Sequence, residues 1–383
     1  IRLQQAENEL IFTRSTASLA RVYIEPTNVC NLGCRTCMRN VWNEPLGYMD
    51  QVSFSAILQG IQAFSPRPMV FFGGLGEPLT HPHILDMIAA VRQLGARVEL
   101  ISNATLLTET TAARLVELDL NRLWVSIDGA TPETYADVRL GDTLPLVQAN
   151  LRRLQEFRQC SETNQPKLGI AFVAMKCNIA DLPEVIRMGK LLGADRFSIS
   201  NVLPHTAELR QQVLFEGSMF ESGLQPTRWA PRVSLPRLDP TLVIFDGLRD
   251  IAKGRNSFEI VRQSPGMGAS SCPFLEKGSL SIRWDGAVSP CLPLLHTHQC
   301  YLGENLRTNH AYIVGNIRER SLQDIWQDPQ YLRLRQRLQA FDFSPCVFCN
   351  SCDMAEANLE DCFGNVHPAC GGCLWAQGFI QCP

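Results

Sequence analysis

Cys30-Asn-Leu-Gly-Cys34-Arg-Thr-Cys37 places three thiols within eight residues, with three residues and then two between them. That spacing suits a loop wrapped around one small inorganic object. Cysteine thiolates hold iron–sulfur clusters, normally one thiolate per iron. Three local thiols can therefore hold three irons of a four-iron cluster and leave the fourth open to a substrate or cofactor. Gly33 reads as the point where the backbone turns tightly. Zinc with a distant fourth ligand is the competing reading, although zinc sites usually present paired C-x-x-C knuckles. The run Arg21-Val-Tyr-Ile-Glu25 just before the loop reads as a strand by its β-branched and aromatic residues.

Outward from that strand, residues 21–205 alternate strand and helix signals. Strands are expected at Pro68-Met-Val-Phe-Phe72, Arg97-Val-Glu-Leu-Ile101, Arg122-Leu-Trp-Val-Ser-Ile127, Leu168-Gly-Ile-Ala-Phe-Val173 and Arg196-Phe-Ser-Ile-Ser200. Helices are expected over 83–94, 108–118, 131–157 and 182–192. Such alternation means parallel βαβ units. With the first strand there are six repeats, fewer than a closed eight-stranded barrel needs. Residues 1–20 read as an N-terminal arm. Residues 206–265, punctuated by Pro226, Pro231, Pro236 and Pro240, read as a bridge or insertion with a helix over 241–253. From 266 onward the texture changes. Ser279-Leu-Ser-Ile-Arg-Trp-Asp-Gly-Ala-Val-Ser predicts a hairpin with Asp285-Gly286 at its turn, followed by Val314-Gly-Asn-Ile317 and a helix over 322–338.

The C-x-x-x-C-x-x-C loop after a first strand resembles that of the radical S-adenosylmethionine enzymes. The resemblance implies an α/β fold with a partial (β/α)6 TIM-like barrel over 21–205. It also implies one catalytic 4Fe-4S cluster on Cys30, Cys34 and Cys37. In that family the open iron binds the amino and carboxylate groups of S-adenosylmethionine (SAM), and one electron from the cluster yields a 5′-deoxyadenosyl radical. Thr36 departs from the pattern, since the family often has an aromatic residue there against adenine.

Further residues follow from the same resemblance. Phe72-Gly-Gly-Leu-Gly-Glu-Pro78 is similar to the family's Gly-Gly-Glu-Pro turn, with a Leu-Gly pair inserted before the glutamate. It implies that Gly74, Gly76 and Glu77 serve the SAM amino group. Ser126 and Asp128, at the end of the fourth strand, and Asn103, at the end of the third, are candidates for the ribose hydroxyls. Arg139 is a candidate for the methionine carboxylate, a task suited to a guanidinium fork. Val173 resembles the apolar residue that packs on adenine.

Ten of the fifteen cysteines fall after residue 270. Cys272, Gly286 and Cys291, with the later cysteines, resemble the SPASM extension of enzymes that mature peptides and proteins, such as anaerobic sulfatase-maturing enzymes. That resemblance implies a small cysteine-rich α+β domain over 266–383 with two auxiliary 4Fe-4S clusters. Their candidate ligands are Cys272, Cys291, Cys346, Cys349, Cys352, Cys362, Cys370, Cys373 and Cys382. The spacing of the last seven departs from the family pattern, and Cys300 is the thiol most readily left free. The knuckles Cys346-Val-Phe-Cys349 and Cys370-Gly-Gly-Cys373 also keep a zinc reading open. Two segments, from Cys37 to Gly47 and from Asp361 to Gly378, resemble radical SAM proteins proposed as maturases of tungsten-cofactor oxidoreductases.

The chain has 383 residues and a net charge of −3, with 45% hydrophobic and 19% charged residues. This is ordinary for a globular protein and offers no extended nucleic-acid surface. No apolar run of membrane-spanning length appears, and no export signal is read at the start, so a cytoplasmic, oxygen-sensitive protein is expected. The expected partners are a reductant such as ferredoxin or flavodoxin and a protein, peptide or cofactor substrate, with no nucleic acid and no membrane. The leading reading is a radical SAM enzyme. A peptide-crosslinking or epimerising enzyme is the second reading, and an iron–sulfur electron carrier or scaffold is the alternative of another class.

Overall fold

The computed structural model describes residues 2–6, 9–13, 18–139, 141–216, 232–235, 238, 259–262, 271–348 and 352–383. A short antiparallel pair, β1 (Arg2–Ala6) and β2 (Glu9–Thr13), comes first. The expected parallel strands follow as β3 (Arg21–Ile24), β4 (Met69–Phe72), β5 (Val98–Ser102), β6 (Arg122–Ser126), β7 (Lys167–Ala174) and β8 (Ala194–Asn201). Each runs parallel to the next. β9 (Arg232–Leu235) and β10 (Glu259–Arg262) extend the sheet beyond β8, inside the stretch where the sequence predicts a bridge. The helix expected over 241–253 lies outside the described residues.

The far edge is built by the C-terminal third. β11 (Ser279–Ile282) pairs in parallel with β3, setting Ser281 opposite Tyr23. It then turns through Arg283–Gly286 into antiparallel β12 (Ala287–Ser289), with Gly286 at φ +88° as the turn requires. β13 (His298–Leu302) and β14 (Asn305–Asn309) form a separate hairpin, and β15 (Gly315–Asn316) closes the edge against β12. The main sheet runs β10-β9-β8-β7-β6-β5-β4-β3-β11-β12-β15 and is open rather than closed.

Both faces of the strands are covered, as in parallel sheets generally. Val22, Ile24, Val70 and Phe72 face the surrounding helices, while Tyr23, Phe71 and Trp124 point inward with Phe274, Cys291 and Leu294. Each fully buried Leu, Ile or Phe contributes roughly 1.5–3 kcal/mol. The outer helices are α1 (Gln51–Gln62), α2 (Ile84–Gln93), α3 (Glu109–Glu117), α4 (Pro132–Arg139), α5 (Leu144–Gln159) and α6 (Leu182–Leu191). α1 goes beyond the helices expected from sequence. Asp50 caps it by accepting from Ser53 N, and Phe54, Ile57 and Ile61 form its buried face.

The helices expected across 131–157 are α4 and α5. The single helix expected over 322–338 is split into Leu322–Trp326 and Pro329–Ala340. Pro329 has no N–H and disfavours a helical Asp328, whose carboxylate instead caps the second helix through Gln330 N and Tyr331 N.

Candidate cluster and cofactor site

The three-cysteine loop leaves the carboxyl end of β3, where ligand-binding groups gather in parallel α/β folds. The loop is held from several sides. Glu77 N donates to Val29 O at 2.8 Å, and Arg35 N donates to Val138 O at the end of α4. Inside the loop, Cys37 N and Asn40 Nδ2 both donate to Cys34 O, at 2.9 and 2.8 Å. Cys34 is buried, and Cys30 and Cys37 are half-buried. Burial pushes the Cys30 and Cys37 thiols up, so a metal bound by them would have to displace their protons. Gly33 is not the tight turn expected from sequence. It has no positive φ, and the space a Cβ would occupy there is empty.

The glycine-rich turn packs directly on this loop. Gly76 is pressed against the preceding backbone: a Cβ there would lie 2.2 Å from Thr27 O. Gly74 sits at φ +141°, a conformation that only glycine adopts readily. The Glu77 carboxylate is engaged within the protein. Oε1 accepts from Leu79 N and Ser102 Oγ at 3.0 and 2.8 Å, and Oε2 accepts from Asn103 N at 2.7 Å. Burial pushes this carboxyl up, and the three donors oppose that shift. Glu77 thus ties the end of β4 to the end of β5. Asn103 in turn donates to Asn31 Oδ1, inside the cysteine loop, at 3.0 Å.

Arg139, at the end of α4, reaches the same place. Its Nη1 donates to Cys34 Sγ at 3.4 Å, and its Nη2 lies 2.5 Å from Asp128 Oδ2. Burial works against the guanidinium charge, but Asp128 and the Cys34 thiol outweigh it and raise the pKa. Asp128 Oδ1 accepts from Val173 N at 2.8 Å, so this carboxylate is shared between β7 and Arg139. Ser126 stands half-buried at the end of β6. Val173 is half-buried against Val138, Met175 and Val202. The structure therefore gathers the predicted residues around one loop. Glu77, Asp128 and Arg139 are engaged within the protein, Arg139 through Asp128 and Cys34, while the Ser126 side chain has no partner among the described residues.

In the C-terminal third, Cys272, Cys291, Cys300, Cys370 and Cys373 line one internal cavity. Burial pushes the Cys272 thiol up to about 12 and Cys300 to about 11, and raises Cys291, Cys370 and Cys373 as well. Cys300, expected to be free, belongs to this group and accepts from Asn309 Nδ2 at 3.2 Å. Cys382 packs nearby with Tyr23, Phe71 and Trp375. Cys346 has Ser344 Oγ at 3.0 Å on a turn packed against that of Cys370, Cys352 is half-buried and Cys362 is exposed. Cys349 lies outside the described residues. Among the described residues no three His, Cys, Asp or Glu side chains are placed to share a single metal ion. Buried Arg307 donates to Ala355 O and Ala369 O; burial lowers its pKa, and the Cys346, Cys300, Cys373 and Cys370 thiols oppose that shift. Thiols spread around a cavity, with a buried guanidinium near them, fit anionic iron–sulfur clusters, whose thiolates bind separate irons.

Sequence reasoning passed over Glu25, Glu44 and His296. Glu25 ends the first strand, a position that could have marked it. The other two carry no spacing signal, because 271 positions separate His296 from the Glu25 it touches.

A model of the Radical SAM superfamily matches residues 24–163, and one of the SPASM iron–sulfur cluster-binding domain matches 272–353. The chain is 31% identical to a tungsten-containing aldehyde ferredoxin oxidoreductase cofactor-modifying protein of Pyrococcus furiosus, covering 94% of this chain and 96% of that protein. It is 24% identical to a PqqA peptide cyclase of Bradyrhizobium diazoefficiens, over 91% and 85% of the two chains. Among solved structures, SuiB of Streptococcus suis bound to S-adenosylmethionine superposes with a TM-score of 0.55 at 16% identity, over 88% of this chain and 71% of that one. Native anSMEcpe with bound AdoMet gives 0.56 at 16% identity, over 94% and 96%.

Proposed function

We propose, from the premise that this chain belongs to the radical SAM superfamily and carries a SPASM cluster-binding domain, that it modifies the cofactor of a tungsten-containing oxidoreductase. The observation that carries this reading is the 31% identity over nearly the whole of both chains to a protein named for that task. The enzyme uses S-adenosylmethionine and 4Fe-4S clusters. When bound, the first cluster supplies the electron that cleaves SAM to the 5′-deoxyadenosyl radical.

The protein's own residues divide the remaining work. Cys30, Cys34 and Cys37 hold the first cluster. The backbone of Gly74 and Gly76 takes the SAM amino group, and Arg139 takes its carboxylate. Ser126 and Asn103 serve the ribose, and Val173 packs on adenine. Glu77 and Asp128 act behind these groups as supports. Cys272, Cys291, Cys370 and Cys373 hold one auxiliary cluster, with Cys300 beside it. Cys346, Cys349 and Cys352 hold most of the other, with a fourth thiol from Cys362. A ferredoxin- or flavodoxin-like reductant in the cytoplasm fits this chemistry.

The peptide-modifying reading has its own support in the PqqA peptide cyclase relative. One experiment separates the two. Reduced holoprotein and SAM are incubated with a tungsten oxidoreductase cofactor preparation or with a short candidate peptide, and 5′-deoxyadenosine and substrate mass are followed. A mass change in the cofactor supports the proposal. A change in the peptide alone overturns it.

A further inference from the structure

Three ionisable side chains from three parts of the chain meet beneath the glycine-rich turn. Glu25 follows β3 and is fully buried, and His296 is 2% exposed. Glu44 follows the cysteine loop. His296 Nε2 lies 2.9 Å from Glu25 Oε1, and Nδ1 lies 2.5 Å from Glu44 Oε2. Ionised carboxylates only accept, so serving both requires a proton on each ring nitrogen. Burial pulls the imidazole down, but the two carboxylates outweigh it and hold it up at about 9.

The surroundings keep this trio in place. The Trp42 ring meets the imidazole edge to face at 4.5 Å. Arg283, paired with Asp285, lies 3.6 Å from Glu44 Oε2, and Thr297 N donates to Glu44 Oε1. His298, which donates from Nδ1 to His296 O, is kept neutral because burial pulls it down to about 4.

The inner carboxylate touches the turn itself. Glu25 Oε2 accepts from Leu75 N at 3.0 Å. It fills the space left by Gly74, where a Cβ would lie 2.6 Å from Glu25 Cγ and 2.7 Å from Oε2. Without His296, Glu25 would be a buried charge short of its main counter-ion, and the charge-assisted bond to Leu75 would be lost or weakened.

We propose that His296 is a positioning residue for SAM: through Glu25 it fixes the backbone of the turn over 73–77, so that the seating of the C-terminal domain sets SAM affinity. This rests on the assignment of that turn to the SAM amino group. The imidazolium persists below about pH 9, and the clamp is lost as pH rises through that value.

The test is SAM binding by anaerobic equilibrium dialysis of holoprotein from pH 7 to 10, with iron content and circular dichroism measured alongside. His296→Gln is expected to weaken binding roughly 5- to 20-fold at pH 7 with iron content unchanged. The gap to wild type should close by pH 10, and the ratio cancels the ligand's own titration. His296→Arg, which keeps a donor for each carboxylate but does not titrate, should restore affinity at pH 7. Glu44→Gln, on the exposed side, should give a smaller loss of the same pH form. Equal affinity of wild type and His296→Gln at pH 7, or a gap independent of pH, would overturn the proposal. Gly74→Ala separates the underlying assignment: unchanged SAM binding there would remove the turn from the SAM site altogether. Loss in Gly74→Ala without loss in His296→Gln would refute the role of His296 alone.

Discussion

Replacing Arg139 with Met tests how the cysteine loop is supported. The Arg139 side chain is 12% exposed and that of Asp128 is 1% exposed, so the pair is effectively buried. Removing one partner of a buried pair leaves an uncompensated charge and costs about 3–5 kcal/mol. Replacing both with neutral groups is far gentler, because no charge remains to be desolvated. Arg139→Met is therefore expected to lose about 4 kcal/mol, and Arg139→Met with Asp128→Asn about half of that or less. Unfolding entropy near 2.1 cal/mol/K per residue over 383 residues gives about 0.8 kcal/mol/K, so the single variant should melt roughly 5 °C lower. Thermal unfolding of the cluster-free protein by circular dichroism reads this directly. The double variant should still fail to turn over, since the guanidinium beside Cys34 is gone in both. A single variant within about 1 kcal/mol of wild type, or a double variant less stable than the single, would refute the buried-pair argument.

Other outcomes follow from the same geometry. Gly76→Ala forces a methyl group onto Thr27 O and should cost about 1–3 kcal/mol, with reduced iron in the first cluster by iron assay. Wild-type stability should fall from pH 6.5 to 9 by up to about 3 kcal/mol as the His296 imidazolium loses its proton, because that group is charged below its raised pKa and contributes fully only below the unfolded value. Urea titrations should show no such fall in His296→Gln. Full reconstitution should give about twelve irons per chain for three four-iron clusters. A count near eight would remove one auxiliary cluster, and a count near four with bound zinc would return the C-terminal knuckles to zinc.

The six parallel strands were legible because each is a short β-branched or aromatic run between helical patterns, and the hairpin turn was legible in Asp285-Gly286. The pairing of β11 with β3 was not, since nothing local to Ser279 points to Arg21. α1 carried signals in the Asp50 cap and the 54, 57, 61 spacing, and the parallel crossover from β3 to β4 called for a helix there. The cysteine loop announced itself by spacing alone. The distinction between Glu77 or Asp128 as ligand contacts and as internal supports needed coordinates, because it depends on which backbone amides meet each carboxylate. The same holds for Cys300, which sequence spacing sets apart and folding returns to the thiol cavity. The Glu25, Glu44 and His296 trio exists only once three distant segments converge.

The central claim is that Cys30, Cys34 and Cys37 carry the SAM-cleaving cluster independently of the C-terminal thiols. Anaerobic assay of 5′-deoxyadenosine from reduced holoprotein and SAM, for wild type and for the triple Cys→Ala variant, with iron counted on the same samples, tests it directly. The account predicts 5′-deoxyadenosine from wild type only, with the variant still folded and holding the C-terminal iron, about eight atoms per chain. 5′-Deoxyadenosine from the triple variant, or a folded variant stripped of all iron, would contradict it.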